Sequence, residues 1–299
     1  MQVASQLLMV RPAAFAYNTQ TAGSNKFQRV GAIAHETVHE QALKEFDEAV
    51  ATLRKHDIDL VVVDDSANPL KPDAIFPNNW FSVHDDCIIL YPMAAPNRRL
   101  ERRKDVLSNL SKNQQPFKPI IDLSQFENGG KFLEGTGSLV LDRVHKIAYA
   151  AVSERTHPDL VKVWCEAMNY TPVLFHATVD EAPVYHTNVL MAIGEKTAIV
   201  SVDAIAYNEN GLVEKSLGQH RTLVRITVDQ TKAFAGNALL VQSKNGVKHW
   251  VMSRTAFKIF TESQRQVLTQ DGALLPLNIR TIEAFGGGSA RCMLAETAW

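Results

Sequence analysis

Apolar residues along the chain switch between two spacings, and the switch recurs. Leu7-Leu8-Met9-Val10 is a short continuous run that stops at Arg11-Pro12, as a buried strand does. Residues 17–28 carry Gly23, Ser24 and Asn25, show no period and read as loop. Over 36–55, Val38, Ala42, Leu43, Phe46, Ala49, Val50 and Leu53 fall on one face of a helix. Leu60-Val61-Val62-Val63 then marks a strand within 59–65.

The order strand, helix, strand returns, now opened by a hairpin. Two short strands are expected within 80–91 around His84-Asp85-Asp86, then a basic amphipathic helix at 98–110 and a strand at 119–123. Strands 138–141 and 146–151, helix 158–169 and strand 172–175 make the next unit. Strands 189–193 and 198–202 flank Gly194-Glu195-Lys196, followed by a weaker helix at 213–219 and a strand at 222–228. Last come 238–242 and 248–252 around Asn245-Gly246, a strong hairpin signal, then helix 256–269 and strand 278–284. The hairpin units open at Asn79, Gly137, Asn188 and Asn237. Their separation of about fifty to sixty residues is the mark of repeated architecture. The expected fold is α/β: one domain over 1–299, built of five like units closed around an axis.

Composition adds limits. The chain is 45% hydrophobic and 21% charged, enough apolar material for a large core. A formal net charge of −1 gives no electrostatic case for nucleic acid or a membrane surface as partner. No apolar run is long enough to cross a bilayer. Cys87, Cys165 and Cys292 are too few and odd in number for a disulfide framework, which suits a reducing, cytoplasmic setting. No cofactor motif is apparent. The composition is compatible with a homo-oligomer.

The chemistry concentrates at the unit starts and at the C-terminal stretch. Gly286-Gly287-Gly288 lets the backbone pass close to a ligand, and Cys292 follows beside Arg291. A neighbouring cation favours the nucleophilic thiolate, so Cys292 is expected to combine exposure with a lowered pKa. Cys87 and Cys165 read as small buried hydrophobes. If the units ring an axis, Glu134 and His186 converge on Cys292, giving a nucleophile, a proton shuttle and a group to orient the shuttle. Singly, each is what an ordinary turn or strand start carries. A rival lies at His35-Glu36-Thr37-Val38-His39, a literal HExxH that on a helix would offer two imidazoles to zinc. No convincing third ligand follows it, and its helix needs its apolar face for packing, so no metal is expected. A ring of repeats that only binds a partner is the third reading.

Leu133-Glu134-Gly135, His186-x-Asn188 and Gly-Gly-Gly-x-x-Arg291-Cys292-Met293 resemble the guanidino-group-modifying enzymes. These include arginine deiminase, dimethylarginine dimethylaminohydrolase, agmatine deiminase, amidinotransferases and succinylarginine dihydrolase. The resemblance implies a pentein fold, a five-bladed α/β propeller of ββαβ units. It implies Cys292 as nucleophile, His186 as general acid/base and Glu134 as its carboxylate partner. It further implies Asp73 for a substrate α-amino group, and Arg98 and Arg155 for the α-carboxylate of an amino-acid substrate. Three family aspartates are replaced: Glu-Gly-Gly-Asp becomes Glu134-Gly135-Thr136-Gly137, His-x-Asp ends in Asn188, and Phe-x-x-Asp ends in Asn79. The last two grip a cationic guanidinium in the family. Neutral amides in their place point to citrulline or another ureido compound, with a guanidino hydrolase or amidinotransferase as the alternative.

Overall fold

The computed structural model describes residues 1–28, 35–111 and 119–299, the side chains of 35 and 109–111 excepted. The first unit is strand β1 (Gln6–Arg11), helix α1 (His35–Lys55) and strand β2 (Asp59–Asp64). The second has β3 (Phe81–Val83), β4 (Ile88–Leu90), helices α2 (Pro96–Arg99) and α3 (Lys104–Ser111), and β5 (Ile120–Asp122). The third has the one-turn helix α4 (Gly135–Ser138), β6 (Val140–Asp142), β7 (Ile147–Ala151), α5 (Pro158–Met168) and β8 (Thr171–Phe175). A two-stranded ribbon, β9 (Thr178–Val179) and β10 (Ala182–Pro183), precedes the fourth unit. That unit is β11 (Met191–Ile193), β12 (Thr197–Val200), α6 (Tyr207–Gly218) and β13 (Thr222–Arg225). After α7 (Val228–Lys232) come β14 (Leu239–Gln242), β15 (Lys248–Ser253), α8 (Arg254–Ile259), α9 (Glu262–Leu268) and β16 (Ala273–Leu277). Helix α10 (Arg280–Gly286) and β17 (Ala295–Ala298) end the chain.

Five small sheets share one plan. In β3-β4-β5, β6-β7-β8, β11-β12-β13 and β14-β15-β16 the first pair is antiparallel and the second parallel across a helical crossover. The first sheet, β17-β1-β2, has the same plan with its leading strand supplied by the C-terminus. β17 packs on β3, β6 on β11, and β11 on β14, while Ala4 bridges Val241 of β14. The fold is therefore mixed α/β with several small sheets. The longer helices bury one apolar stripe; in the first unit Val38, Ala42, Phe46, Ala49 and Leu53 cluster with Leu7 and Met9. No helix among the described residues is long and apolar enough to cross a membrane.

Four expectations need correction. The basic helix at 98–110 is two helices, because its arginines point inward to polar groups. Arg98 is buried against Glu101, Arg102 reaches Tyr91 O and Glu127, and Arg103 reaches Asp65. The helix at 256–269 breaks at the extended Phe260, where Thr261 and Gln264 form a capping box that starts α9. The strand placed at 278–284 is helix α10, with Ile282 and Phe285 buried at helical spacing. The true third strand is β16, whose Pro276 is tolerated because β16 lies at the sheet edge. Lastly, β17 was not expected: Ala295-Glu296-Thr297-Ala298 has little strand character and is held by pairing with β1.

Candidate active site

Short helical turns lead into the first strand of four of the five sheets, and they meet. The 3-10 turn Pro77–Asn79 precedes β3, α4 precedes β6, Thr187–Val189 precedes β11, and Ala290–Met293 precedes β17. Turn Pro77–Asn79 packs on α4 and on Ala290–Met293, and α4 packs on Thr187–Val189. Their approach requires two glycines. A Cβ on Gly135, which has φ +49, would stand 2.4 Å from Asn78 O. One on Gly137 would stand 2.4 Å from Asn79 Nδ2 and 2.7 Å from His186 Nδ1. A side chain at position 137 would therefore find its space filled by Asn79 and His186.

Glu134, His186 and Cys292 are all buried at this junction. His186 Nε2 lies 2.8 Å from Glu134 Oε2, and Glu134 Oε1 accepts from the Ala94 N–H at 2.9 Å. Burial alone would raise the Glu134 pKa. Arg155, His186 and Arg98 overcome that and hold it at about 2. An ionised carboxylate only accepts, so His186 carries its proton on Nε2 and leaves Nδ1 as the acceptor. Burial lowers the His186 pKa to about 4 against the pull of Glu134, with Arg155 and Arg98 also lowering it.

The sulfur of Cys292 sits among amides. Asn237 Nδ2 lies 3.3 Å from Sγ and Asn188 Nδ2 3.6 Å. Asn237 is itself oriented by accepting from the Arg291 N–H at 3.1 Å and donating to Asn188 O at 3.0 Å. Here the structure departs from expectation: Cys292 is 3% exposed, and its pKa is raised. Burial dominates, and only part of the shift is offset by Ser289, Asn237, Arg291 and Asn188. The resting pair is a neutral thiol and a neutral imidazole.

Asp73, Asn79, Arg98 and Arg155 line the same cavity as His186 and Cys292. Asp73 Oδ2 accepts from Asn18 at 2.8 Å, while Oδ1 is buried without a partner among the described residues. Arg155 donates to Ser24 Oγ at 2.9 Å and Thr21 O at 3.0 Å, and lies over the Tyr185 ring. Arg98, expected to offer its fork to a carboxylate, has that fork closed on Glu101. The loop 18–28 therefore roofs the site. The enclosed space is about 10 Å³, roughly what one water needs. A far larger cleft of about 1050 Å³ shares only Tyr185 with this cavity and holds none of Cys292, His186 and Glu134.

Sequence reasoning missed Asn237 as a site residue although it named that position as a unit start, equivalent to Asn79 and Asn188. It also missed Glu101, hidden in a run of arginines, and Asn18, Thr21 and Ser24, which show no pattern until folded. The HExxH segment opens α1; the His35 side chain lies outside the described residues, and His39 Nδ1 accepts from the Phe15 N–H at 3.1 Å. Among the described residues no three His, Cys, Asp or Glu side chains cluster to hold a metal.

Residues 11–299 match the family model described as eukaryotic N,N dimethylarginine dimethylhydrolase. No curated protein matches the chain. The N-terminal domain of ArgZ, an arginine dihydrolase from the ornithine-ammonia cycle in cyanobacteria, is similar in structure, with TM-score 0.75, 16% identity and 98% of both chains covered. AgrE in its complex with L-arginine gives TM-score 0.76 at 16% identity over 98% of this chain and 40% of that one. A dimethylarginine dimethylaminohydrolase adduct with S-methyl-L-thiocitrulline gives TM-score 0.65 at 12% identity over 98% and 99%. At these identities the structural likeness is one of fold.

Proposed function

The chain belongs to the eukaryotic N,N dimethylarginine dimethylhydrolase family, and on that premise we propose that it is a cysteine-dependent hydrolase of the ureido C–N bond of citrulline or a close analogue. The observation that carries the substrate choice is the shell of the sulfur: its side-chain hydrogen-bond partners are the neutral amides of Asn188 and Asn237, with no carboxylate among them. A buried guanidinium needs a paired anion. Of the buried carboxylates nearby, Glu134 is engaged with His186 and Glu101 with Arg98, and Asp73 is left for the substrate ammonium. A ureido group is uncharged and matches amide partners.

In this reading His186 Nδ1 takes the thiol proton and Sγ bonds to the ureido carbon, the C=O electron pair moving onto oxygen. The pair returns as the C–N bond to the ornithine nitrogen breaks, and His186 delivers the proton to that nitrogen. Water deprotonated by His186 then cleaves the S-carbamoyl enzyme. One citrulline and one water give ornithine, carbon dioxide and ammonia. Asp73 Oδ1 suits the substrate ammonium, and Arg155 and the remaining Nη1 donor of Arg98 suit its carboxylate. A cavity of about 10 Å³ holds no amino acid, so loop 18–28 must release Arg155 and Asp73 for entry. We take the five sheets as one closed propeller, a single pentein domain over 1–299; the pairing of β17 with β1 supports it.

The test is turnover of citrulline, arginine, methylated arginines, agmatine and succinylarginine with the products of each identified: ornithine and ammonia from citrulline, or the ureido compound with ammonia or a methylamine from a guanidino substrate. Citrulline is expected to give the highest kcat/KM. Arginine or dimethylarginine turned over far faster would replace this reading with a guanidino hydrolase.

A further inference from the structure

Arg98 is held from behind. Its Nε and Nη2 meet the two oxygens of Glu101 at 2.9 Å each, and Nη2 also reaches Phe76 O at 3.2 Å. Nη1 reaches Asn79 Oδ1 at 2.8 Å. All three side chains are buried. A guanidinium has five donors and no acceptor, so the atom of Asn79 that faces Nη1 has to be the carbonyl oxygen. Turning the amide over would set N–H against N–H. Asn79 Nδ2 is therefore directed away from Arg98. It is buried, has no partner among the described residues, and borders the space over Gly137 that His186 Nδ1 also borders.

We propose that Glu101, acting through Arg98, is a positioning residue that locks Asn79 with its donor toward the reacting group, and that this lock selects a ureido oxygen over a guanidinium. The inference rests on the hydrolase reading above and names the group that recognises its substrate. A ureido oxygen accepts from Nδ2–H, and accepts more strongly as attack by Sγ places charge on it. A guanidinium offers only N–H groups, so Asn79 meets it donor to donor. Glu101 does not line the cavity; it acts by keeping the Arg98 fork in one plane, because only a carboxylate can accept both of its parallel N–H groups. With glutamine at 101 one of those contacts becomes donor against donor, the fork tilts, and Asn79 is free to turn.

The experiment measures kcat/KM for citrulline, arginine and thiocitrulline, in which sulfur, a weak acceptor, replaces the ureido oxygen. Wild type is compared with Glu101→Gln and Asn79→Asp. Glu101→Gln is expected to lower the citrulline-to-thiocitrulline and citrulline-to-arginine ratios roughly tenfold, about one hydrogen bond in the transition state, through kcat more than KM. A loss of packing alone would lower all three substrates together and leave the ratios in place. Asn79→Asp keeps its contact with Arg98 but turns an acceptor inward, and is expected to shift preference toward arginine. Unchanged ratios in folded Glu101→Gln overturn the lock while citrulline hydrolysis stands. If Glu101→Gln does not fold, Asn79→Asp decides, and retained citrulline preference overturns the lock. A wild type inactive on citrulline overturns both the lock and the reading beneath it.

Discussion

Cys165 and Cys292 are buried alike, 2% and 3% exposed, in surroundings that differ in kind. Cys165 sits on α5 among Leu160, Val161, Trp164 and Tyr170, and burial alone pushes its thiol up to about 12. Cys292 sits at the head of β17, where burial also pushes the thiol up but two side-chain amides, Ser289 and Arg291 pull against it. Exposure therefore does not distinguish the two thiols in this molecule. Directed donors do, because they stabilise the thiolate without admitting water.

The sharpest break of that comparison is to exchange sulfur for oxygen at each site. Cys292→Ser is expected to lower kcat by on the order of 10⁴-fold or more, as removal of a nucleophile does in comparable constellations. Cys165→Ser is expected to keep kcat and lose about 1–3 kcal/mol of stability, because its hydroxyl finds no partner in an apolar core. Chemical denaturation and steady-state kinetics on both variants read the two effects separately. Turnover surviving Cys292→Ser would mean the amide-lined thiol is structural too.

A second break acts on the base. Glu134→Gln removes the carboxylate that raises the His186 pKa, while Arg155 and Arg98 still lower it. The imidazolium then becomes harder to form, and leaving-group protonation suffers, so kcat should fall about 10²–10⁴-fold. In wild type, the acid limb of kcat/KM is expected near pH 4, where His186 protonates and can no longer take the thiol proton. A limb near the free-histidine value would contradict the burial described above. Gly137→Ala probes spacing alone. Its Cβ would stand 2.4 Å from Asn79 Nδ2, so the two must move apart by about 1 Å, and a displacement of that size costs about 10²-fold in rate. Normal kcat in Gly137→Ala would show that the junction is looser than its distances.

The same contrast explains what the sequence could and could not reveal. The repeat was readable because each unit buries a strand and a helix stripe with a period of its own. Cys292, Glu134 and His186 were readable because they stand in motifs at unit starts. The amide cage was half readable: Asn188 was named, while Asn237 was passed over although it holds the place equivalent to Asn79 and Asn188, a signal that could have found it. Exposure of Cys292 was expected from its place beside Arg291 and outside an apolar run, yet Gly286 and Gly288 let Phe76 pack against the backbone, which buries the thiol. Glu101 and the roofing loop had no local signature, since their meaning lies in partners dozens of residues away. Strand β17 was unreadable for the same reason, as its ladder belongs to β1.

The finest test asks whether the amides are what separates the two thiols. Asn237→Asp is nearly isosteric, and one carboxylate oxygen can keep the Arg291 N–H. The other replaces the donor 3.3 Å from Sγ with a negative charge. The thiolate is the charged form, so losing a lowering contact and gaining a like charge both raise its pKa further above the usual cysteine value. The midpoint of iodoacetamide labelling of Cys292 against pH should move up by about one unit or more, and labelling at a fixed pH below the midpoint should fall about tenfold. Asn188→Asp should do the same to a smaller extent, since its amide lies farther away at 3.6 Å. Cys165 in the same sample is the internal control: it has no contact with Asn237, so its labelling should stay where it was. Equal shifts at both cysteines would report loosening of the whole fold. No shift at Cys292 would remove the amides as the distinction between the two sites and leave burial as the sole influence on either thiol.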